Sequence, residues 1–304
     1  MELWIAKVPD GDSDELYQRG LAAVNDESRA RIGRFFRRPD AWRCLLGRLL
    51  ARHLREHLQS EITFATTSAG KPYIENNRDD NPIAYNVAHD NSFVVLAADF
   101  HATSPAVSAI GVDVMKCVLP RSLTLPGFVE ILTDQLSPAE RVALRQPHPL
   151  LSSNITSPTL LQHIFWLWTV KEALTKCLGL GLGFDFSRIS LDIFAAVEAY
   201  ESQTPPLLID GAPLRGYELT LMEIASPTGD DTYQCVIAKR TFTASEPSDE
   251  PRPPAFPTDP TIPLARIIIR PRISFSTGSI IDNEIYMRDA EGVIDTAVDR
   301  EDKP

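Results

Sequence analysis

The apolar pattern predicts a mixed fold of helices and strands, in a chain long enough for one large or two smaller domains. Three stretches carry that expectation. After Asp40, residues Trp42, Leu45, Leu46, Leu49, Leu50, Leu54 and Leu58 recur at helical spacing. Between Val107 and Met115, residues Ile110, Val112 and Val114 alternate as on one face of a strand. From Phe165 to Lys176 the chain is rich in good helix formers, and Leu167, Val170, Leu174 and Leu178 keep helical spacing. Gly179 follows as a C′ stop.

The first predicted strand is Leu3–Val8, ended by Pro9-Asp10-Gly11. Helical stretches follow from Asp14 to Val24 and from Asp26 to Phe36, and Asp40 reads as the N-cap of the long helix. Ser68–Tyr73, with Gly70, Lys71 and Pro72, reads as a turn. Tyr85–Asp90 and Phe93–Phe100 read as strands. Ser137-Pro138-Ala139-Glu140 fits a capping box with proline at the first helical position. Arg145 to Pro158 reads as a loop. Gly179–Phe184 is glycine-spaced, but it follows a helix and so is no dinucleotide fingerprint. Ile189–Phe194, Tyr217–Glu223 and Tyr233–Lys239 read as strands of a second sheet. Seven prolines between Pro247 and Pro263 mark a linker. Beyond it, Arg266–Arg270 has the pattern of a strand, and Asp282–Pro304 is polar enough to fray.

The composition excludes several classes. Hydrophobic residues at 43% and charged residues at 23% suit a soluble globular chain. A net charge of −11 argues against a general nucleic-acid binder but leaves room for a local basic site. Such a site is visible: nine arginines and a single acid, Asp40, lie between Arg29 and Arg55. Arg48, Arg52 and Arg55 read as a solvated helix face, and Arg31 and Arg43 as the better anion-site residues. The start, Met1–Lys7, lacks a signal pattern, and no apolar run is long enough to span a bilayer. The four cysteines are scattered without metal-ligand or redox spacing; Cys44, Cys117 and Cys177 sit beside apolar runs and read as buried thiols, and a reducing cytoplasm is the simplest compartment. Asn154-Ile155-Thr156 matches a glycosylation sequon, which carries no weight without a secretory signal.

Two positions stand out chemically. Asp113 is an acid in an otherwise apolar strand, where an unpaired charge is expensive to bury, so it needs a metal or a basic partner. Glu172 and Lys176 are four apart and share one face of a mostly buried helix. They read either as a helix-surface ion pair or as an acid and a phosphate-holding cation of an active site.

Three blocks in fixed order then resemble a known signature. They are Gly70-Lys71-Pro72 with Asn86-Val87-Ala88-His89, Gly111-Val112-Asp113, and Trp168-Thr169-Val170-Lys171-Glu172-Ala173-Leu174-Thr175-Lys176. Together they are similar to the 4′-phosphopantetheinyl transferases of the long, single-chain, surfactin-synthetase-activating type. The run Asp40–Arg48 resembles that family's N-terminal helix, and the likeness extends from Arg29 to Ser190. The resemblance implies an α+β fold: two similar subdomains related by a pseudo-twofold, with coenzyme A in the cleft between them. The expected parts are residues 1–108, residues 109–240 with the metal site and the Trp-x-x-Lys-Glu helix, and a disordered or loosely packed tail, 241–304.

The reaction the resemblance implies moves 4′-phosphopantetheine from coenzyme A to a serine of a carrier-protein domain and releases 3′,5′-ADP. The carrier would be of the acyl, polyketide, peptidyl or aminoadipate reductase kind. Asp113 and Glu172 match the family's Mg²⁺ ligands, and hard carboxylate oxygens suit that ion. Glu172 is also the base candidate, and Lys176 would contact the transferred phosphate. Arg31, Lys71 and His89 match positions that bind the 3′-phosphate and the diphosphate. Gly70 and Pro72 would border the adenine, and Ala88 belongs to the same coenzyme A-binding block. A phosphate-binding His89 would release its ligand as it loses its proton at high pH. Neither nucleic acid nor membrane is expected as a partner, and one chain carrying both halves of the cleft suggests a monomer.

One position departs from the pattern. Many relatives have a glutamate two residues after the aspartate, and here that position is Met115, a poor ligand for Mg²⁺. Some relatives of the aminoadipate-reductase-activating kind also have methionine there. Asp90 is the candidate replacement, against the alternative of an exposed turn aspartate. Two other functions remain open at this point: a Mg²⁺-dependent phosphoesterase acting on coenzyme A or nucleotides, and a non-catalytic carrier-binding module.

Overall fold

The computed structural model of the chain describes residues 1–11, 13–58, 62–67, 70–76, 82–100, 109–145, 157–180, 183–198, 206–241, 256–257, 259–282 and 284–298. The centre of the expected Arg145–Pro158 loop, the sequon, Gly181 and most of the proline-rich linker lie outside these residues. The chain divides into two units, Met1–Val114 with Ser274–Pro304, and Met115–Ile273.

In the first unit, β1 (Glu2–Lys7) leads to α1 (Asp14–Ala22), α2 (Asp26–Ile32) and the long α3 (Arg38–Leu58). Strands β2 (Ile62–Thr66), β3 (Pro72–Asn76), β4 (Ile83–Asp90) and β5 (Phe93–Asp99) follow. The units divide within β6 (Ile110–Lys116). The second unit continues with α4 (Leu125–Leu132), α5 (Pro138–Arg145) and α6 (Ser157–Leu178). Next come β7 (Ile189–Ser190), α7 (Ile193–Glu198), β8 (Leu208–Ile209) and β9 (Ala212–Pro213). The hairpin of β10 (Tyr217–Ala225) and β11 (Thr232–Arg240) and then β12 (Arg266–Ile269) follow. After β13 (Ile273–Ser274) the chain adds β14 (Ile280–Ile281), β15 (Ile285–Asp289) and α8 (Ala290–Val298).

Strand β5 is buried over its whole length, so it needs a strand on each edge and cover on both faces. Its edges are taken by β1 and β4 in a sheet of order β14-β15-β1-β5-β4-β3-β2. On one face, Val94, Leu96 and Ala98 pack in the core with Trp42, Leu45, Leu46, Leu49, Leu50 and Leu54 of α3. Helix α3 starts three residues earlier than an Asp40 N-cap implies. Pro39 is preset for the first turn, and the Arg37 carbonyl accepts from the Asp40 and Ala41 N–H groups. Asp40 therefore lies inside the first turn, where it pairs with Arg43 at 2.5 Å.

The second unit repeats part of this plan. A strand, a long buried helix and an antiparallel hairpin give the order β6-β11-β10, as β1, α3 and β4–β5 give β1-β5-β4. In both, the first strand lies beside the second strand of the hairpin. The fold is thus α+β with two sheet-containing halves. Strand β12, anticipated at Arg266–Arg270, adds in parallel to β10. The expected strand Ile189–Phe194 is shorter. It ends at Ser190, because the Asp192 carboxylate accepts from the Ala195 N–H at 3.0 Å and caps α7.

The expected tail needs correction. The segment from Ile285 to Val298 does not fray but completes the first unit. Strand β15 runs parallel to β1, and Tyr286 stacks on Trp4 at 4.3 Å. In α8, Ala290, Val293, Ile294 and Ala297 are buried at helical spacing. The His53 ring donates from Nε2 to the Val293 carbonyl at 2.8 Å, and Arg19 pairs with Asp295. Gly20 shows how close the approach is: a Cβ there would lie 2.9 Å from Leu45 and 3.1 Å from Ile294. Among the described residues, no helix is long and apolar enough to cross a membrane.

Because Ile294 is fully buried, replacing it with alanine should cost about 2–5 kcal/mol. Urea unfolding reads this directly, and an unchanged midpoint would show that α8 is not core. Cutting the chain after Arg240 should lower the midpoint further.

Candidate active site

Helix α6 presents very little of itself. From His163 to Leu178 every residue is buried except Trp168, Glu172 and Lys176. These three are four apart, so they form one stripe along the axis. The helix ends in a Schellman motif, with Gly179 N–H on Lys176 O at 3.2 Å and Leu180 N–H on Thr175 O at 3.1 Å. Gly179 takes the left-handed φ of 73° that this ending requires. The buried threonines satisfy themselves within the helix: Thr169 donates to Phe165 O at 2.7 Å and Thr175 to Lys171 O at 2.9 Å. Trp168 packs edge-on against Phe186, 5.5 Å between ring centres.

The stripe is held in place by a charge pair beneath it. Lys171 is buried and donates to Glu140 at 2.5 Å, to Gln135 O at 2.9 Å and to Phe186 O at 3.1 Å. Its three N–H groups thus have three acceptors. Glu140 is equally buried and accepts from Ser137 N–H at 2.8 Å and from Leu191 N–H at 3.1 Å. The Glu140 N–H in turn donates to Ser137 Oγ at 3.3 Å, completing the predicted capping box. Burial pulls the Lys171 ammonium below the ordinary lysine range, and the Glu140 carboxylate opposes that shift. Sequence reading assigned Glu140 to helix capping alone and gave Lys171 no task. The two lie 31 residues apart, and no spacing rule links them.

The other predicted positions belong to the first unit. Gly70 sits at φ 76° between β2 and β3, donating to Thr67 O at 2.8 Å, with open space where a Cβ would be. The backbone conformation, not crowding, therefore favours glycine there. Pro72 opens β3 opposite Thr66. Lys71 donates from Nζ to Ile110 O at 3.0 Å, and the Asn86 side-chain oxygen accepts from Val112 N–H at 2.9 Å. The first and second signature blocks meet here: both hold the strand that carries Asp113. Ala88 is buried and His89 exposed in the β4–β5 pairing. Asp90 shares the Asn86 and Ala88 face of β4 by strand alternation. Arg31, in α2, is exposed. Asp113 is buried, and its Oδ2 atom lies outside any hydrogen bond, although the residue is engaged elsewhere. Among the described residues, no three His, Cys, Asp or Glu side chains form a metal-binding group.

Comparison with known proteins gives the family. A family model described as 4′-phosphopantetheinyl transferase, N-terminal, matches residues 12–101. That of the 4′-phosphopantetheinyl transferase superfamily matches residues 109–215. The chain belongs to this superfamily and is a transferase. It is 37% identical over 229 residues to the 4′-phosphopantetheinyl transferase pptA of Paxillus involutus, covering 74% of this chain and 82% of that one. It is 31% identical to the L-aminoadipate-semialdehyde dehydrogenase-phosphopantetheinyl transferase of Mus musculus, over 57% of this chain and 54% of that one. For a 4′-phosphopantetheinyl transferase of Bacillus subtilis the identity is 29%, over 57% and 68%.

Replacing Lys171 with methionine strands the Glu140 charge and should cost about 3–5 kcal/mol of unfolding free energy. Lys171→Met combined with Glu140→Gln should cost clearly less than the two single changes summed. Urea titrations of the four proteins measure this, and simple additivity would dissolve the pair.

Proposed function

We propose that this transferase moves 4′-phosphopantetheine from coenzyme A to the serine hydroxyl of a carrier-protein domain, releasing 3′,5′-ADP. The observation that carries the reading is the stripe on α6. Of sixteen successive residues, His163 to Leu178, the three that are not buried include an acid and an ammonium at signature positions. Glu172 takes the serine proton as the serine oxygen attacks the β-phosphorus of coenzyme A. The P–O bond to the nucleotide breaks, and 3′,5′-ADP leaves with the electron pair. Lys176 offsets the charge on the transferred phosphate.

Arg31, Lys71 and His89 hold the 3′-phosphate and the diphosphate. Gly70 and Pro72 border the adenine, with Ala88 beside them in the same binding block. Lys71 donates one N–H to Ile110 O, which fixes its ammonium beside the Asp113 strand. Asp113 and Glu172, at the signature positions, would hold Mg²⁺ through their carboxylate oxygens, with Asp90 as the further candidate, although the three do not stand as one group among the described residues. The position of Asp90, on the face of β4 whose Asn86 holds the Asp113 strand, supports that choice. When bound, the ion neutralises the pyrophosphate. Met115, at the position where many relatives have an acid, would supply no oxygen to the ion. The aminoadipate carriers implied by the mouse relative's name are the first to try, along with acyl and peptidyl carriers. Free thiols at all four cysteines support a reducing cytoplasm as the compartment.

Intact mass spectrometry of an apo carrier incubated with the protein, coenzyme A and Mg²⁺ tests the reading. A carrier mass gain of one phosphopantetheine is expected. Glu172→Gln should abolish it and leave the far-ultraviolet circular dichroism unchanged. Nucleotide release without a modified carrier would instead indicate a phosphoesterase, and no gain on several different carriers would overturn the proposal. Asp90→Ala should raise the Mg²⁺ concentration needed for half-maximal turnover, and an unshifted requirement would remove Asp90 from the metal site.

A further inference from the structure

The arginine-rich stretch between α2 and α3 divides into two sets. Arg29, Arg38 and Arg43 are built into the fold. Arg29 donates to Leu21 O at 3.2 Å and to Val24 O at 3.1 Å. Arg38 lies 3.9 Å over the Tyr17 ring and pairs with Asp14. Arg43 donates to Asn91 O at 2.7 Å and to Asp40. Arg34 and Arg37 are exposed and make no side-chain hydrogen bond or ion pair among the described residues. Between them stand Phe35, 43% exposed, and Phe36, fully exposed.

The loop that carries them is pinned at both ends. Arg34 N–H bonds to Arg31 O at 3.2 Å and Phe35 N–H to Ile32 O at 3.2 Å. The Arg37 carbonyl accepts from two N–H groups of the first turn of α3. Phe36 is thus held out on a short, fixed turn, so little conformational freedom remains to be lost on binding. A fully exposed aromatic flanked by unengaged guanidiniums matches the residue types that dominate protein interfaces.

We propose that Arg34, Phe35, Phe36 and Arg37 form a docking surface for the carrier domain, which presents carboxylates around an apolar spot. The inference rests on the transferase reading for the identity of the partner. Charge complementarity supports it: the patch is locally cationic in a chain of net charge −11. A long polyanion would meet repulsion beyond so small a patch, which disfavours nucleic acid. Membrane docking would call for a wider apolar face than one turn. Arg31, assigned to coenzyme A, is outside the proposed surface.

The test uses the full chain and two variants, Phe36→Ser and the double change Arg34→Glu with Arg37→Glu. Binding is measured by fluorescence anisotropy to an acidic acyl carrier whose acceptor serine is replaced by alanine. Each variant should weaken binding roughly tenfold. The charge-reversed form should also lose much of the salt dependence. A carrier with surface acids changed to lysine should recover binding to the charge-reversed form. In turnover, KM for the carrier should rise while KM for coenzyme A stays within about twofold. Unchanged carrier binding overturns the proposal, as does absence of wild-type binding. A rise in the coenzyme A KM alone would place the patch in the nucleotide site. Loss only of sedimentation with phosphatidylserine vesicles would make it a lipid contact. If the wild type binds carriers but transfers nothing, the transferase reading fails and the docking surface stands.

Discussion

The buried pair of Lys171 and Glu140 is the constraint on which the α6 site depends. Two charges taken out of water need their hydrogen bonds satisfied, or the burial costs more than the attraction returns. Here Lys171 has three acceptors and Glu140 three donors. That arrangement exists at one rotation of α6 about its axis. A turn of one residue, roughly 100°, would bury Glu172 and expose Lys171. The pair therefore does for this helix what register does for a strand: it decides which side chains face outward. An apolar pair of the same volume could pack as well, but it would fix the rotation less sharply.

The same carboxylate closes the capping box at Ser137 and accepts from Leu191, so three separate stretches of the second unit converge on one side chain. This explains why a capping residue is as buried as any core leucine. It also explains how α6 can be apolar over most of its circumference and still present an ordered polar stripe. The helix is held from below by hydrogen bonds.

Much of this was legible in the sequence and some was not, for physical reasons. Alternation and helical spacing located α3, β5, β6 and α6 because each buries a continuous face. Glu172 and Lys176 share one stripe of α6, as their four-residue spacing implied. The Lys171–Glu140 pair was hidden because its members are far apart in the chain and the capping box already accounted for Glu140. The C-terminal helix was misjudged for another reason. Ala290, Val293, Ile294 and Ala297 keep helical spacing, but the acids around them and the proline-rich run before them gave the region the look of a tail. Composition averaged over the segment outweighed the periodicity that decides whether a helix packs. The early end of β7 followed from Asp192, whose capping carboxylate was read as part of a strand.

Lys71 and Asn86 show that a signature residue can serve architecture and chemistry together. Strand β6 lies at the end of its sheet order, and among the described residues no strand pairs with its outward edge. Val112 N–H and Ile110 O are two residues apart and so point the same way. Asn86 takes the first and Lys71 the second. These side chains do the work of a missing strand and fix the entry of the segment bearing Asp113. A change at Lys71 therefore removes a cation and also loosens the strand that carries Asp113. Arginine would keep the charge but reach Ile110 with a different donor geometry. Methionine would keep much of the stem and remove both the charge and the backbone contact. Replacing Asn86 frees Val112 N–H without touching any charge. A comparison of the two sites thus separates strand placement from charge: whatever the Asn86 change costs is architectural, and the excess cost at Lys71 is electrostatic.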